Sequence, residues 1–250
     1  MKSGLCASTA ALALVVASAL LTPASAADLS IAPIYKTPPA PVATWTGSYI
    51  GVSGGGAWGN AVVRNNATGL DQTPRFDLSG GLVGVTAGFN VQNGPLVAGF
   101  EADTSFVSKS GSAVDFPPNG AFSNEVKEQW LSTFRGRVGY SQGNWLIYAT
   151  AGGALASVEN NLVSPAGAIS DKQWHWGWTA GGGVEVKLSQ EWTAKVEYLY
   201  VGLQDKSYFN PVPSASFPAG QQGVRLDDHI VRVGVNYKLP WNILDSFYKR

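Results

Sequence analysis

The stretch WHWGWTAGGGVEVKLSQEWTAKVEYLYVG, residues 174–202, alternates apolar and polar side chains on both sides of a short turn. A period of two residues is the pattern of β-strands that have one apolar and one polar face. The apolar positions are Trp174, Trp176, Trp178, Ala180, Val184, Val186 and Leu188 before the turn, and Trp192, Ala194, Val196, Tyr198 and Tyr200 after it. Glu185, Lys195 and Glu197 occupy the opposite face. The stretch therefore predicts an antiparallel hairpin with one apolar face and one charged face.

The same alternation recurs along the chain and defines eight predicted strands. They lie near 45–58, 80–92, 96–107, 130–140, 145–156, 174–188, 192–202 and 229–239. Asn93-Gly94 predicts a type I′ hairpin turn that places Val91 opposite Leu96. Such short turns alternate with connections of roughly fifteen to twenty-five residues, as in bacterial outer-membrane barrels. The predicted fold is all-β, an eight-stranded antiparallel transmembrane β-barrel with short periplasmic turns and four long extracellular loops.

The charged face decides between a membrane barrel and a soluble barrel of the lipocalin kind. It carries four acids and four bases in mid-strand: Glu101, Asp103, Arg135, Arg137, Glu185, Lys195, Glu197 and Arg232. A soluble barrel would turn these charges to water, whereas a membrane barrel turns them to the lumen. A balanced set can neutralise itself inside a narrow eight-stranded lumen. We therefore expect a lumen charge network, with Glu185 and Lys195 paired across the 189–191 turn.

The tryptophans support the membrane barrel. All nine lie near the ends of predicted strands, where aromatic girdles meet lipid headgroups. A soluble barrel would be expected to bury some of them in mid-strand. The predicted membrane-interface aromatics are Trp58, Trp130, Trp145, Trp174, Trp176, Trp178, Trp192 and Tyr237.

The segments outside the barrel have other compositions. Residues 1–26 have a basic start, a short apolar run and the small residues that precede a cleavage site at Ala26, so they predict a signal peptide. Residues 27–44 are rich in Pro and Ala and predict a periplasmic tether. The barrel is predicted at 45–239, followed by a C-terminal tail at 240–250. The lone Cys6 lies in the signal, so we expect no disulfide in the mature protein.

Composition and motifs argue against several function classes. Seventeen basic and seventeen acidic residues cancel, which gives no sign of a nucleic-acid partner. Glu101 and Asp103 resemble a catalytic acid pair, but Arg135 and Arg137 are better explained as their counter-charges. His175 and His229 are predicted near the extracellular rim on opposite faces, so haem or another ligand bound at the rim is a minor alternative. We predict no catalytic, cofactor-binding or metal-ligating residue, and no enzyme.

Several stretches together resemble a known family. They are WTGSYIGVSGGGAWG (45–59), GFEADTSF (99–106), FRGRVGY (134–140), WLIYATAGG (145–153), WGWTAGGGVE (176–185) and HIVRVGVNYKL (229–239). With the signal and tether, they resemble the small outer-membrane porin-like or immunogenic proteins of alphaproteobacteria, which have an OmpA-type eight-stranded fold. The resemblance implies insertion by the barrel-assembly machinery and a surface protein that stabilises the envelope, sometimes admitting small solutes.

One feature departs from that family, whose members commonly end on a strand with a terminal aromatic. Here Pro240 should end strand pairing directly after Tyr237-Lys238-Leu239. Either Tyr237 and Leu239 form an internal assembly signal, or the tail supplies the aromatic residues of that signal, Phe247 and Tyr248.

Two functions follow from the sequence. The first is an outer-membrane surface protein with a structural, envelope-stabilising or surface-interaction role and a charge-plugged lumen. The alternative is a narrow porin-like channel for ions and small solutes. The expected partners are outer-membrane lipid, lipopolysaccharide and the assembly machinery, and the expected state is a monomer.

Overall fold

The computed structural model describes residues 44–66, 68–117, 121–165, 167–209 and 222–240. The predicted signal peptide with its cleavage at Ala26, the tether up to residue 43 and the tail after Pro240 lie outside these ranges. Within them, no helix is long and apolar enough to cross a bilayer.

The described residues form eight antiparallel strands in a closed barrel, which confirms the predicted fold class. The strands are β1 (Gly47–Asn65), β2 (Phe76–Asn93), β3 (Leu96–Val114), β4 (Ser123–Gln142), β5 (Trp145–Ser164), β6 (Gly167–Lys187), β7 (Trp192–Tyr208) and β8 (Gln222–Lys238). Each strand pairs with its neighbours in sequence, and β1 pairs with β8 to close the ring. The connections that follow β2, β4 and β6 are short and define the turn end. The connections that follow β1, β3, β5 and β7 lie at the opposite end of the barrel, which we call the loop end.

The strands reach further toward the loop end than their predicted bounds. β4 begins at Ser123 and β8 at Gln222, about seven residues before the predicted starts at 130 and 229. β5 and β6 leave only two residues between Ser164 and Gly167, so the expectation of a long loop there is wrong.

The β2–β3 turn differs from the predicted type. Asn93 pairs with Leu96, so the two central residues are Gly94 and Pro95. Gly94 has a φ of +58°, and proline holds φ near −65°, which fits a type II′ turn with glycine first. Val91 consequently lies opposite Ala98, two residues from the predicted partner. A shift of two residues preserves the faces of both strands.

The outer wall of the barrel carries a continuous apolar surface. Large exposed side chains on it include Ile50, Val83, Val85, Phe100, Phe134, Ile147, Val196 and Val233. They occupy alternate positions on neighbouring strands, as predicted from the period of two.

The inner face changes in character along the barrel axis. Charged side chains fill its middle, and the loop-end half is filled by an apolar core. That core includes Leu78, Val126, Val158, Leu203, Val224 and Leu226. On β8 the inward residues are Leu226, Asp228, Ile230 and Arg232, in this order toward the turn end.

Candidate functional site in the barrel lumen

The eight predicted lumen charges meet in the middle of the barrel. β3 supplies Glu101 and Asp103, β4 supplies Arg135 and Arg137, β6 supplies Glu185, β7 supplies Lys195 and Glu197, and β8 supplies Arg232. They point inward because residues two apart share a face of a strand. All eight are at most 6% exposed. We call this set the lumen charge cluster; it holds four acids and four bases.

Arg135 is the centre of the cluster. Its Nη2 donates to Glu101 Oε1 at 2.5 Å and to Asp103 Oδ2 at 2.7 Å. Its Nη1 donates to Glu197 Oε1 at 3.1 Å. One guanidinium therefore joins carboxylates from β3 and β7, on different sides of the lumen.

Arg232 closes a second set of bonds around the same carboxylates. Its Nε donates to Glu197 Oε2 at 2.8 Å, and its Nη1 donates to Asp103 Oδ1 at 3.0 Å. Asp103 also accepts a hydrogen bond from the Thr133 hydroxyl at 2.6 Å. Asp103 and Glu197 are thus each shared between two arginines.

The expected pair between Glu185 and Lys195 does not form. The two residues are opposite in register, as predicted. Lys195 Nζ nevertheless donates to Glu101 Oε2 at 2.8 Å on the far side of the barrel. Glu185 instead accepts from Arg137 Nη2 at 2.8 Å and from the Thr193 hydroxyl at 2.5 Å. The lumen is narrow enough for a long side chain to find a partner across it rather than beside it.

Two tyrosines complete the cluster, and the sequence reasoning missed both. Tyr49 donates its hydroxyl to Glu101 Oε2 at 2.8 Å and accepts from Arg137 at 2.9 Å. Tyr148 donates to Glu197 Oε1 at 3.0 Å, and its ring centroid lies 4.0 Å from the Arg137 guanidinium carbon. Their inward orientation could have been predicted, because each follows or precedes an outward isoleucine, Ile50 or Ile147, and adjacent residues on a strand face opposite ways.

Glycines make room for these long side chains. A Cβ at position 183 would lie 2.8 Å from the Tyr148 hydroxyl oxygen, closer than carbon and oxygen can pack. A Cβ at Gly88 would overlap the Tyr49 hydroxyl in the same way. The small residues of the polar face are therefore needed by the cluster.

The turn end of the lumen is covered by Trp45. Its side chain packs with Val97, Leu146 and Tyr148, and its indole Nε1 donates to the Ser141 hydroxyl at 2.7 Å. Trp45 is thus buried, unlike the other seven tryptophans in the described part of the chain.

The predicted interface aromatics lie on the outer wall. The seven tryptophans, Trp58, Trp130, Trp145, Trp174, Trp176, Trp178 and Trp192, are 43–61% exposed. Tyr237 is half-buried, and its ring centroid lies 5.0 Å from that of Trp192 at the turn end.

The two histidines lie on opposite sides of the barrel wall. His175 is buried inside, where Nδ1 donates to the Gln204 carbonyl at 2.9 Å and Nε2 lies 2.6 Å from the Tyr208 hydroxyl. His229 is on the outer face, 2.7 Å from the Tyr198 hydroxyl and stacked on Trp58. They cannot share a ligand. Within the described part of the chain, no group of three metal-ligating side chains is close enough to hold a metal.

The cluster is chemically a set of matched counter-ions. Each of its four carboxylates accepts a hydrogen bond from at least one of its four cations. Such charge-assisted bonds hold the side chains in fixed positions.

Comparison with known proteins agrees with this architecture. The sequence model of the family described as "Outer membrane protein beta-barrel domain" matches residues 10–238. The 31 kDa outer-membrane immunogenic protein of Brucella melitensis is 34% identical, over 95% of this chain and 100% of the relative. The 22 kDa outer membrane protein of Rhizobium leguminosarum bv. viciae is 32% identical, over 81% of this chain and 82% of the relative.

Solved structures include similar barrels. The outer membrane protein OprG from Pseudomonas aeruginosa has a TM-score of 0.48 and 14% identity, covering 78% of this chain and 96% of that one. The family match and the Brucella relatives confirm the resemblance inferred from the sequence, and with it the location. The chain belongs to the outer membrane protein β-barrel family, among the outer-membrane immunogenic proteins, and is a protein of the outer membrane.

Proposed function

We propose that this protein is a structural and surface-interaction barrel whose lumen is plugged and does not conduct. The lumen charge cluster carries the proposal. It fills the middle of the barrel with four paired acids and four paired bases. An eight-stranded barrel is just wide enough for side chains to fill, so this many long side chains leave little space for a solute.

Closure at two further levels supports the plugged lumen. Trp45 and its apolar neighbours cover the turn end, and the apolar core fills the loop-end half. A continuous water path would have to cross all three levels. The same closure supports a non-enzymatic role, because the carboxylates are bound to counter-ions and a substrate has no route to them.

The outer wall supports the proposed partners. Its apolar surface fits lipid chains, and the exposed tryptophans fit the headgroup level, including lipopolysaccharide in the outer leaflet. In outer-membrane barrels the short turns face the periplasm, so the loop end faces outward. The Brucella relatives are called immunogenic, which supports exposure of this end at the cell surface. We further propose a monomer that is inserted by the assembly machinery and binds no nucleic acid.

Conductance in planar lipid bilayers tests the plugged lumen. Purified protein, shown to be folded by a mobility difference between unheated and boiled samples on a gel, is expected to give no stable open levels. A larger porin in the same membrane serves as the positive control. Reproducible open levels would favour the narrow porin-like channel instead.

The lipid-facing assignment of the outer wall is tested by Val184→Arg. Val184 lies on the outer face between Ile147 and Val196. An arginine facing the middle of the bilayer costs about 2–4 kcal/mol. Urea unfolding in lipid vesicles measures this cost. The matched control is Val163→Arg, an exposed valine of β5 near the loop end, for which we expect almost no change. Equal effects at both positions would contradict the assignment.

A further inference from the structure

A second group of buried charges lies between the lumen charge cluster and the loop end. It consists of Lys109 on β3, Glu128 on β4 and Asp228 on β8, whose side chains are 0–1% exposed. Lys109 Nζ lies 2.5 Å from Glu128 Oε2 and also contacts Asp228 Oδ1. Because one ammonium group contacts both carboxyls, Glu128 and Asp228 lie next to each other. We call these three residues the loop-end triad.

The triad lies at or outside the membrane interface. Trp130 on β4 is two residues closer to the turn end than Glu128 and is exposed on the outer wall. Trp58 pairs in register with His229, the residue after Asp228. Since exposed tryptophans mark the headgroup level, the triad is at or outside it. It therefore belongs to the part of the barrel that faces the cell exterior.

The surroundings of the triad are apolar. The neighbouring strands contribute apolar core residues to this half of the barrel: Ala57 on β1, Leu82 on β2, Ala156 on β5 and Leu199 on β7. On β6 the buried Thr179 hydroxyl donates to the Tyr200 carbonyl at 2.9 Å. The other buried titratable side chains in the described strands belong to the lumen charge cluster, with its tyrosines, or to the His175–Tyr208 pair. That pair bonds to the backbone carbonyls of Gln204 and Val158. The triad must therefore balance its own charge.

Its charges do not balance when all three groups are ionised. One ammonium then faces two carboxylates, which leaves one net negative charge in a dry site and two like charges in contact. Two carboxylates that share a site cannot both ionise without a large penalty. Glu128 Oε1 and Asp228 Oδ2 also have no hydrogen-bond partner among the described atoms. A single proton on the carboxyl pair removes the net charge and gives one of these oxygens a partner.

We propose that Glu128 and Asp228 share one proton at neutral pH, and that the protonated pair is a pH-sensitive brace. It joins the β3–β4 hairpin to β8, which stands apart from that hairpin in the ring. When the proton leaves, the two carboxylates repel each other and the loop-end half of the barrel loosens.

The sign of the pH effect follows from proton counting. In the unfolded chain both carboxyls ionise at about pH 4. The native pair keeps one proton above that pH, so the native state binds one proton more than the unfolded state. Stability then falls as the pH rises, and the opening equilibrium constant grows about tenfold per pH unit until the native pair also ionises. Acid strengthens the brace and alkali releases it.

Infrared spectroscopy of the folded protein tests the shared proton directly. A protonated carboxyl has a C=O band that a carboxylate lacks. We expect this band at pH 7 in the wild type, and its loss in Glu128→Gln and in Asp228→Asn. The control Glu125→Gln removes an exposed carboxylate that is paired with Lys127 and should leave the band unchanged. If the wild type lacked a band that these two substitutions remove, the proposal would be overturned.

Hydrogen exchange tests the brace. The measured quantity is the exchange rate of loop-end amides in β3, β4 and β8, corrected for the intrinsic pH dependence of exchange. Between about pH 5 and pH 8 this corrected rate should rise about tenfold per pH unit in the wild type and stay flat in Glu128→Gln. Asp228→Asn should give the same flat profile, which keeps the test valid if one variant does not fold. Parallel pH profiles for the wild type and both variants would overturn the proposal.

Discussion

Replacing Arg135 with leucine is expected to lower the free energy of unfolding by about 3–5 kcal/mol. Arg135 is fully buried and is bonded to Glu101, Asp103 and Glu197 at once. Leucine is shorter and has no charge, so the substitution leaves four buried carboxylates with three cations. In the plugged lumen proposed above, water does not reach the carboxylate left without its partner, because Trp45 and the apolar core cover the cluster on both sides.

Urea unfolding of the folded barrel in lipid vesicles measures this loss. The matched control is Arg64→Leu, because Arg64 forms a single ion pair with Asp71 and both side chains are about half exposed. An exposed pair contributes about 0–1 kcal/mol, so the control should change little. Similar small losses for both variants would mean that water solvates the cluster, which would also weaken the proposal of a plugged lumen.

The membership of the lumen charge cluster was predictable because it depends only on parity. Alternate residues on a strand share a face, so Arg135 and Arg137 had to lie together once Phe134 and Val138 were assigned outward. The turn type predicted between β2 and β3 was wrong, but the error moved the register by only two residues. The assignment of side chains to the inner and outer faces was therefore still correct. A shift of one residue would have reversed every assignment on β3.

The partners within the cluster were not predictable by the same rule. Sequence neighbours across a turn suggested that Glu185 binds Lys195, and register does place them opposite each other. The observed bond from Lys195 to Glu101 depends on the width of the lumen and on the reach of the lysine. Neither quantity is contained in a pattern of period two.

The strand lengths were underestimated for a different physical reason. In the part of β8 near the turn end, apolar residues such as Val233 face outward to lipid and Arg232 faces inward. Toward the loop end the polarity is reversed, with Leu226 buried inside and Arg225 exposed. The strand continues, but its apolar positions change face near His229. A search for one uninterrupted alternation therefore ends the strand there, which is where the predicted segment 229–239 began.

This reversal means that one barrel has two kinds of core. Where lipid surrounds the wall, apolar side chains gain little from facing inward, and the charges occupy the lumen. Beyond the membrane interface water surrounds the wall, so the ordinary hydrophobic effect draws Leu78, Val126 and Leu226 inside. The loop-end half is thus held together as a soluble protein is.

Leu226→Ala tests this difference and is expected to lower the free energy of unfolding by about 2–5 kcal/mol, the range for a large-to-small change in a packed core. The leucine is fully buried, and its register partners are Ala61 and Leu203, which belong to the same apolar core. Because this core also surrounds the loop-end triad, the cavity should raise hydrogen exchange most in the loop-end amides.

The matched control for Leu226→Ala lies on the same strand. Val233 is exposed on the outer wall. In Val233→Ala the side chain at this position still contacts lipid, so the loss in free energy of unfolding should be a small fraction of that in Leu226→Ala. Urea unfolding in vesicles gives the total change, and exchange of amides in β8 assigns it to one half of the barrel. If Val233→Ala proved as costly as Leu226→Ala, the apolar outer wall would have to be a packed protein interface, and the monomer proposed above would be wrong.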